Sequence, residues 1–141
     1  MKYSMKVSHA VHIMVFIQTA QGLPVTSDKI AESIHTNPGC VRQIMSQLRK
    51  AGLLKSVTGH PLPELARDPA NISLLDIYKA VENEKPLLHL DTHTNPECGV
   101  GVNIQLALQE FYDKVQKDAE DSMAGISLAD IIGRFYEQIQ K

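Results

Sequence analysis

Three groups of residues in this 141-residue chain have types and spacings suited to chemistry. One is a run of Arg, Gln, Ser and Lys at helical spacing after Pro38. Arg pairs with guanine and Gln with adenine in the major groove of DNA, while Lys neutralises phosphate. The other two are the thiols Cys40 and Cys98, and a segment from Leu88 to Cys98 that is rich in His and carboxylates. No nucleophile, base and orienting group share a recognisable spacing and no phosphate loop is present, so we do not expect an enzyme.

Hydrophobic periodicity predicts the two helices that precede the first group. A first helix from Ser4 to Thr19 carries apolar residues at i, i+3, i+4 and i+7 spacing and ends at Gly22-Leu23-Pro24. The residues of its inward face are Val7, Ala10, Val11, Met14 and Ile17. A short second helix is capped by Thr26 or Ser27, because hydroxyl oxygens accept hydrogen bonds from free backbone N–H groups there.

A third helix is predicted to start after Asn37 as N-cap, with Pro38 in the first turn and Gly52 as a left-handed terminator. Two short helices joined by a brief turn are typical of a helix-turn-helix. The buried face of the third helix is expected to comprise Val41, Ile44, Met45 and Leu48. The opposite face presents Gly39, Arg42, Gln43, Ser46 and Lys50, with Arg49 on the flank. The alternative is an ordinary solvated polar face.

The next segment predicts a small β-hairpin, or wing, and then more helices. Residues 53–57 and 64–67 are β-compatible and flank a turn-rich stretch. Ser73 and Asp76 resemble a capping box that starts a helix, with Leu74, Ile77, Tyr78 and Val81 facing inward. After a polar loop, a long helix runs from Gly99 to Met123, and a terminal helix from Ser127 to Gln140 begins with a second such box.

The long helix carries an apolar stripe that another element must bury. At about 1.5 Å per residue it extends roughly 35 Å, more than a small N-terminal domain spans. A second copy of the chain presenting the same helix is the simplest cover, and the alternative is the chain's own terminal helix. The stripe consists of Ile104, Leu108, Phe111, Val115 and Ala119.

Charge divides the chain into unlike parts although the whole has a net charge of only −2. The first 67 residues hold eight Lys or Arg against three Asp or Glu, and the remainder holds six against thirteen. This asymmetry favours a basic surface for a polyanion on the first part, with chance clustering as the alternative. The composition, 43% hydrophobic and 21% charged, is that of a globular protein without a membrane span or signal peptide, which we expect in the cytoplasm with both thiols reduced.

Several fragments in fixed order resemble the Rrf-type bacterial winged-helix regulators, which include the iron-sulfur cluster regulator, the cysteine-metabolism repressor and nitric-oxide-sensitive repressors. The fragments are Lys2-x-Ser4, Asn37-Pro38, residues 47–54, Leu65-Ala66-Arg67, residues 72–77 with Ala80-Val81-Glu82, and Ser127-Leu128-Ala129-Asp130. The resemblance covers nearly the whole chain. It implies a winged helix-turn-helix with a long dimerisation helix.

The chain departs from this family at two places. Cluster-binding members have three Cys in the loop before the dimerisation helix, whereas residues 84–101 offer only Cys98. One thiolate cannot replace the Cys-rich ligation of an iron-sulfur centre, so no cluster and no other cofactor are expected. The wing has Gly59-His60-Pro61-Leu62-Pro63-Glu64 in place of the common Gly-rich tip followed by Tyr.

The two thiols are candidate redox sensors. Cys40 lies early in the third helix, where the helix dipole and backbone N–H groups favour a thiolate, and its oxidation would place bulk or charge against DNA phosphate. Cys98 precedes the long helix and matches the family's last cluster-loop Cys. The alternative is a small semi-buried Cys40 without a redox role. The set His89, Asp91, His93, Glu97 and Cys98 has ligand types that zinc or copper uses, but its spacing matches no standard site, so no metal is assigned.

The sequence therefore predicts a mostly α-helical protein with a β-hairpin wing: residues 1–83 as a DNA-binding domain, 84–98 as a loop, and 99–141 as the dimerisation and terminal helices. The protein is expected to be a homodimeric transcriptional regulator, a repressor, that binds a palindromic operator in double-stranded DNA. It is also expected to respond to oxidants through its thiols. The alternatives are a winged-helix protein-interaction module and a metal- or small-molecule-responsive regulator. The expected DNA contacts are Lys2, Lys6, Thr26, Ser27, Asn37, Gly39, Arg42, Gln43, Ser46, Arg49, Lys50, Lys55 and His60.

Overall fold

Six α-helices and one two-stranded hairpin form the described part of the chain, which is residues 4–20, 26–60, 62–91 and 93–140 of a computed structural model. The helices are α1 (Lys6–Thr19), α2 (Ser27–Ile34), α3 (Pro38–Lys50), α4 (Leu74–Glu82), α5 (Gly99–Ala124) and α6 (Leu128–Ile139). The strands are β1 (Leu54–Lys55) and β2 (Glu64–Leu65), and a short 3₁₀ helix covers Pro69–Asn71. The predicted mostly helical fold with a small hairpin is confirmed.

Side-chain caps start α2 and α3, as the sequence predicts. Thr26 Oγ1 accepts a hydrogen bond from the Lys29 N–H at 3.4 Å, and Asn37 Oδ1 accepts one from the Cys40 N–H at 2.8 Å. Pro38 occupies the first turn of α3, where it removes no needed donor. The break expected at Gly22-Leu23-Pro24 lies outside the described residues.

The end of α3 turns the chain directly into the hairpin. Gly52 has φ +80°, a conformation that glycine adopts without steric cost. Its N–H donates to the Arg49 carbonyl and the Leu53 N–H donates to the Leu48 carbonyl, both at 3.0 Å. This pair of hydrogen bonds satisfies the last carbonyls of the helix and sends β1 back along it.

The hydrophobic core lies among α1 to α4 and the hairpin, the unit we call the head. Helix α1 is central, because it packs against α2, α3, α4, β2 and α6. Ile13, which the predicted inward face omitted, is completely buried, whereas Val7 and Val11 are only half-buried. A helix enclosed on several sides buries residues outside a single stripe, which explains the difference.

The terminal helix α6 returns to the head. The Leu74 N–H donates to the Ile126 carbonyl and the Leu128 N–H donates to the Ile72 carbonyl, each at 2.8 Å. Leu128 is completely buried, and α6 packs against the 3₁₀ helix and α1. The segments that lead into α4 and α6 therefore lie antiparallel, and both helices begin with the predicted capping boxes.

Helix α5 is 26 residues long and packs on α4 and on the segment before it, but none of its residues is fully buried. The half-buried side chains that face the protein include Gln105, Leu108, Tyr112 and Gln116. Within the described ranges, no helix has the length and apolar character needed to cross a bilayer.

Candidate nucleic-acid interface

The outer face of α3 carries the predicted base-reading residues. Gly39, Arg42, Gln43, Arg49 and Lys50 are exposed, and Ser46 is half-buried. The opposite face is formed by Val41, Ile44, Met45 and Leu48, all buried as predicted. Because the apolar face anchors α3 in the core, its polar face is held at the surface of the head.

The cations of the head differ in whether an acid neutralises them. Lys29 lies 3.7 Å from Glu32, Lys55 lies 3.5 Å from Glu64, and Arg67 lies 3.5 Å from Asp76. In the described part of the chain no ion pair involves Lys6, Arg42, Arg49 or Lys50. Three of these four unpaired cations belong to α3, so the positive charge available to a polyanion is concentrated there.

The hairpin is attached to the third helix by a side-chain contact. Arg49 Nη1 donates to Ser56 Oγ at 3.2 Å, just beyond β1. The sequence predicts Arg49 as a DNA contact, and no pattern in it points to Ser56. The pairing of Lys55 with Glu64 follows from the antiparallel register, which places the two residues opposite one another. His60 is exposed at the turn, beside Gly59 with φ +81°, and Pro61 lies outside the described residues.

The remaining expected DNA contacts within the described residues lie at helix starts. Lys6 is half-buried at the start of α1, and Lys2 lies outside the described residues. Thr26 is exposed and Ser27 half-buried at the start of α2. The side-chain oxygens of Thr26 and Asn37 already accept backbone hydrogen bonds, which leaves their second lone pairs for other donors.

The two thiols lie at the starts of different helices and form no disulfide. Cys40 is half-buried in the first turn of α3, and its N–H donates to Asn37 Oδ1. Cys98 is exposed at the start of α5, and its side chain makes no capping hydrogen bond.

Two glutamines on α5 accept hydrogen bonds from the preceding segment, and neither is among the residues predicted from the sequence. The Asp91 N–H donates to Gln105 Oε1 at 3.0 Å, and the Leu87 N–H donates to Gln116 Oε1 at 2.8 Å. The sequence feature that could have identified them is their spacing. Gln105 and Gln116 are eleven residues, or about three turns, apart and therefore lie on one face of the helix. They align the segment along α5.

A helix-turn-helix whose second helix exposes Arg, Gln and Lys, followed by a hairpin, defines the winged helix-turn-helix class of transcriptional regulators. The chain belongs to the Rrf2 family: the family model, described as "Iron-dependent Transcriptional regulator", matches residues 3–134. This membership confirms the resemblance and the winged-helix fold, and places the chain among regulators and not among enzymes.

Individual relatives agree with this assignment. The chain is 39% identical over 127 residues to YwnA of Bacillus subtilis (strain 168), a proposed HTH-type transcriptional regulator, with 90% of this chain and 94% of that one covered. A crystal structure of a proposed DNA-binding protein matches with 38% identity and a TM-score of 0.73, covering 90% of this chain and 98% of that one. T. potens IscR matches with 28% identity and a TM-score of 0.70, covering 98% and 90%.

The residues before α5 do not fit an iron-sulfur cluster. Cys98 is the only thiol in residues 84–101, and cluster irons need several such ligands. Across the described ranges, no three His, Cys, Asp or Glu side chains come together as a metal site. Asp91 Oδ1 instead accepts the His93 N–H at 2.7 Å, so that carboxylate shapes a turn.

Proposed function

We propose that the protein is a homodimeric repressor that recognises a specific DNA sequence by inserting α3 into the major groove. The observation that carries the proposal is the exposure of Arg42, Gln43 and Lys50 on α3, with no acid paired to either cation in the described part of the chain. An unpaired Arg can donate two hydrogen bonds to guanine, and an unpaired Lys can neutralise a phosphate.

Dimerisation is supported by the outer face of α5. Three members of the predicted stripe remain exposed in one copy: Ile104 by 46%, Phe111 by 61% and Val115 by 46%. The other two, Leu108 and Ala119, are half-buried. The terminal helix packs on the head and leaves Ile104, Phe111 and Val115 exposed on α5. A second α5 would remove this apolar surface from water and give two heads for a palindromic operator with half-sites about one DNA turn apart.

Repression follows from occupancy of the operator, and we further propose that oxidation of a thiol releases it. Cys40 lies two residues before Arg42 on α3, so an added negative group there would repel phosphate. Cys98 is the exposed alternative. Operator release by peroxide or diamide should be lost in Cys40→Ser or in Cys98→Ser. Retention of release in both single variants would rule out the thiol response.

Arg42→Ala tests the proposed function. Selection from randomised DNA by the wild type should yield a palindromic site, and Arg42→Ala should bind that site about 5- to 150-fold more weakly, with relaxed preference at one base pair. Arg134→Ala is the matched control, since Arg134 is exposed on α6 and paired with Glu137. A wild type that selects no sequence, or an Arg42→Ala variant with unchanged preference, would instead identify a protein-interaction module.

A further inference from the structure

An open cleft of about 800 Å³ lies where the end of α4 meets α5. Its volume falls within the range of small-molecule sites. It is lined by residues from α4, from the segment that follows it and from α5, and none of the proposed DNA contacts or thiols lines it. The cleft therefore lies between the head and the long helix.

The lining of the cleft combines paired and unpaired charges. Lys79 Nζ lies 3.8 Å from Glu120 Oε1, which links α4 to α5. Glu84 and Lys85, by contrast, have no ion-pair partner within the described ranges. One carboxylate and one ammonium group are thus available to a ligand on the same wall.

A network of hydrogen bonds also lines the cleft. The Tyr78 hydroxyl donates to the Lys85 carbonyl at 2.9 Å and accepts a hydrogen bond from Gln116 Nε2 at 3.1 Å. Gln116 Nε2 also donates to Glu120 Oε2 at 2.9 Å. The Lys85 backbone is held by this network, so the wall that carries the two unpaired charges is positioned before any ligand arrives.

We propose that this cleft binds a small zwitterion, an amino acid or a short peptide, whose carboxylate pairs with Lys85 and whose ammonium group pairs with Glu84. A ligand of one charge sign would satisfy only one of the two groups. A zwitterion satisfies both, and charge-assisted hydrogen bonds are the strong ones.

The position of the cleft gives the ligand a regulatory consequence, which rests on the proposed DNA-binding function. Asn83 joins α4 to the lining segment with φ +56° and ψ −128°, a conformation that a residue other than glycine rarely adopts. A ligand held beside it contacts both the head and α5. It therefore biases the angle between them, and with it the separation of the two α3 helices in a dimer.

The proposed dimer leaves the cleft accessible. Gln116 follows Val115 by about 100° around the helix, so the lining residues and the exposed stripe lie on different sides of α5. A partner seated on Phe111 and Val115 would not fill the cleft.

Calorimetric titration of the full-length protein, without DNA, tests the binding step. The probes are single L-amino acids and dipeptides, compared with putrescine and succinate, which carry one sign of charge. We expect either the amino acids or the dipeptides to bind. Whichever of the two binds identifies the ligand as an amino acid or as a short peptide. Glu84→Gln and Lys85→Ala should each weaken binding about tenfold or more, because each removes a charged partner. Lys114→Ala, an exposed substitution on α5 outside the cleft, should not.

Three results would overturn the proposal: no zwitterion binding at millimolar concentration, equal binding of putrescine or succinate, or unchanged affinity in both cleft variants. DNA affinity of the ligand-free protein is measured separately. Zwitterion binding without DNA selectivity would support the proposed ligand site in the cleft and reject the proposed DNA-binding function. Selective DNA binding without zwitterion binding would reject only the proposed ligand site in the cleft. A bound zwitterion that leaves DNA affinity unchanged would overturn the regulatory consequence.

Discussion

Tyr78 and Gln116 connect the head to the long helix through a hydrogen bond of 3.1 Å between the phenol oxygen and the amide nitrogen. The same hydroxyl donates to the Lys85 carbonyl, and the amide oxygen of Gln116 accepts the Leu87 N–H. Two side chains thus hold α4, α5 and the segment between them in one arrangement. In a dimer joined through α5, this arrangement sets how far apart the two heads lie.

Tyr78→Phe should lower the free energy of unfolding by about 1–2 kcal/mol, because a largely buried hydroxyl that makes two hydrogen bonds is lost while the ring remains. Urea denaturation measures the change. Tyr136→Phe is the control, since Tyr136 is 44% exposed and its change should be near zero. Equal effects of the two substitutions would mean that the two hydrogen bonds of the Tyr78 hydroxyl contribute no net stability.

Lys50→Ala should reduce the salt dependence of DNA binding. Each phosphate contact contributes about −0.9 to the slope of log affinity against log salt concentration, so the slope should become shallower by about one. Lys117→Ala should leave the slope unchanged, because Lys117 lies on α5 and pairs with Asp121 at 3.4 Å. Fluorescence anisotropy over a series of salt concentrations measures both. A Lys117→Ala variant with the larger change would place the DNA on α5.

Phe111→Asp should convert the dimer to a monomer, because a carboxylate at a position buried by the partner would be desolvated without a counter-charge. Sedimentation equilibrium measures the mass. Leu106→Asp is the matched control, since Leu106 is 69% exposed on the same helix but lies about 140° around it from Phe111. Should Leu106→Asp dissociate the dimer and Phe111→Asp leave it intact, the interface would lie on the other side of α5.

His12 should make stability depend on pH. Partial burial, and then the nearby charge of His9, lower the pKa of His12 below its ordinary value of 6.5, and His12 Nε2 lies 2.8 Å from Ser33 Oγ. Between the lowered pKa of the folded protein and 6.5, the unfolded chain binds more protons at His12 than the folded protein does. The contribution of neutral His12 to the free energy of unfolding is therefore fully present above pH 6.5 and decreases as the pH falls through the folded pKa.

Thermal denaturation between neutral and mildly acidic pH measures this dependence. His12→Gln should flatten the pH profile, whereas His93→Gln, a substitution at an exposed site, should leave its shape unchanged. A profile that keeps its slope in His12→Gln would assign the pH dependence to other groups.

Local interactions were determined by the sequence alone. Thr26, Asn37, Ser73 and Ser127 cap the helices that they were predicted to cap, and Gly52 ends α3 with positive φ. Each of these contacts joins residues three to five positions apart, so chain connectivity brings the partners together whatever the rest of the fold does. The two faces of α3 were predictable for the same reason, because helical periodicity alone assigns them.

Contacts between distant segments were decided by the tertiary structure. Arg49 contacts Ser56, Lys55 pairs with Glu64, and Leu128 packs α6 against the head. The cleft at Tyr78 and Gln116 joins residues 38 positions apart. No periodicity encodes such pairs, because they depend on how helices already formed pack against one another. The sequence therefore determined which surface could read DNA, and the packing decided which of its cations are unpaired and how the head is joined to α5.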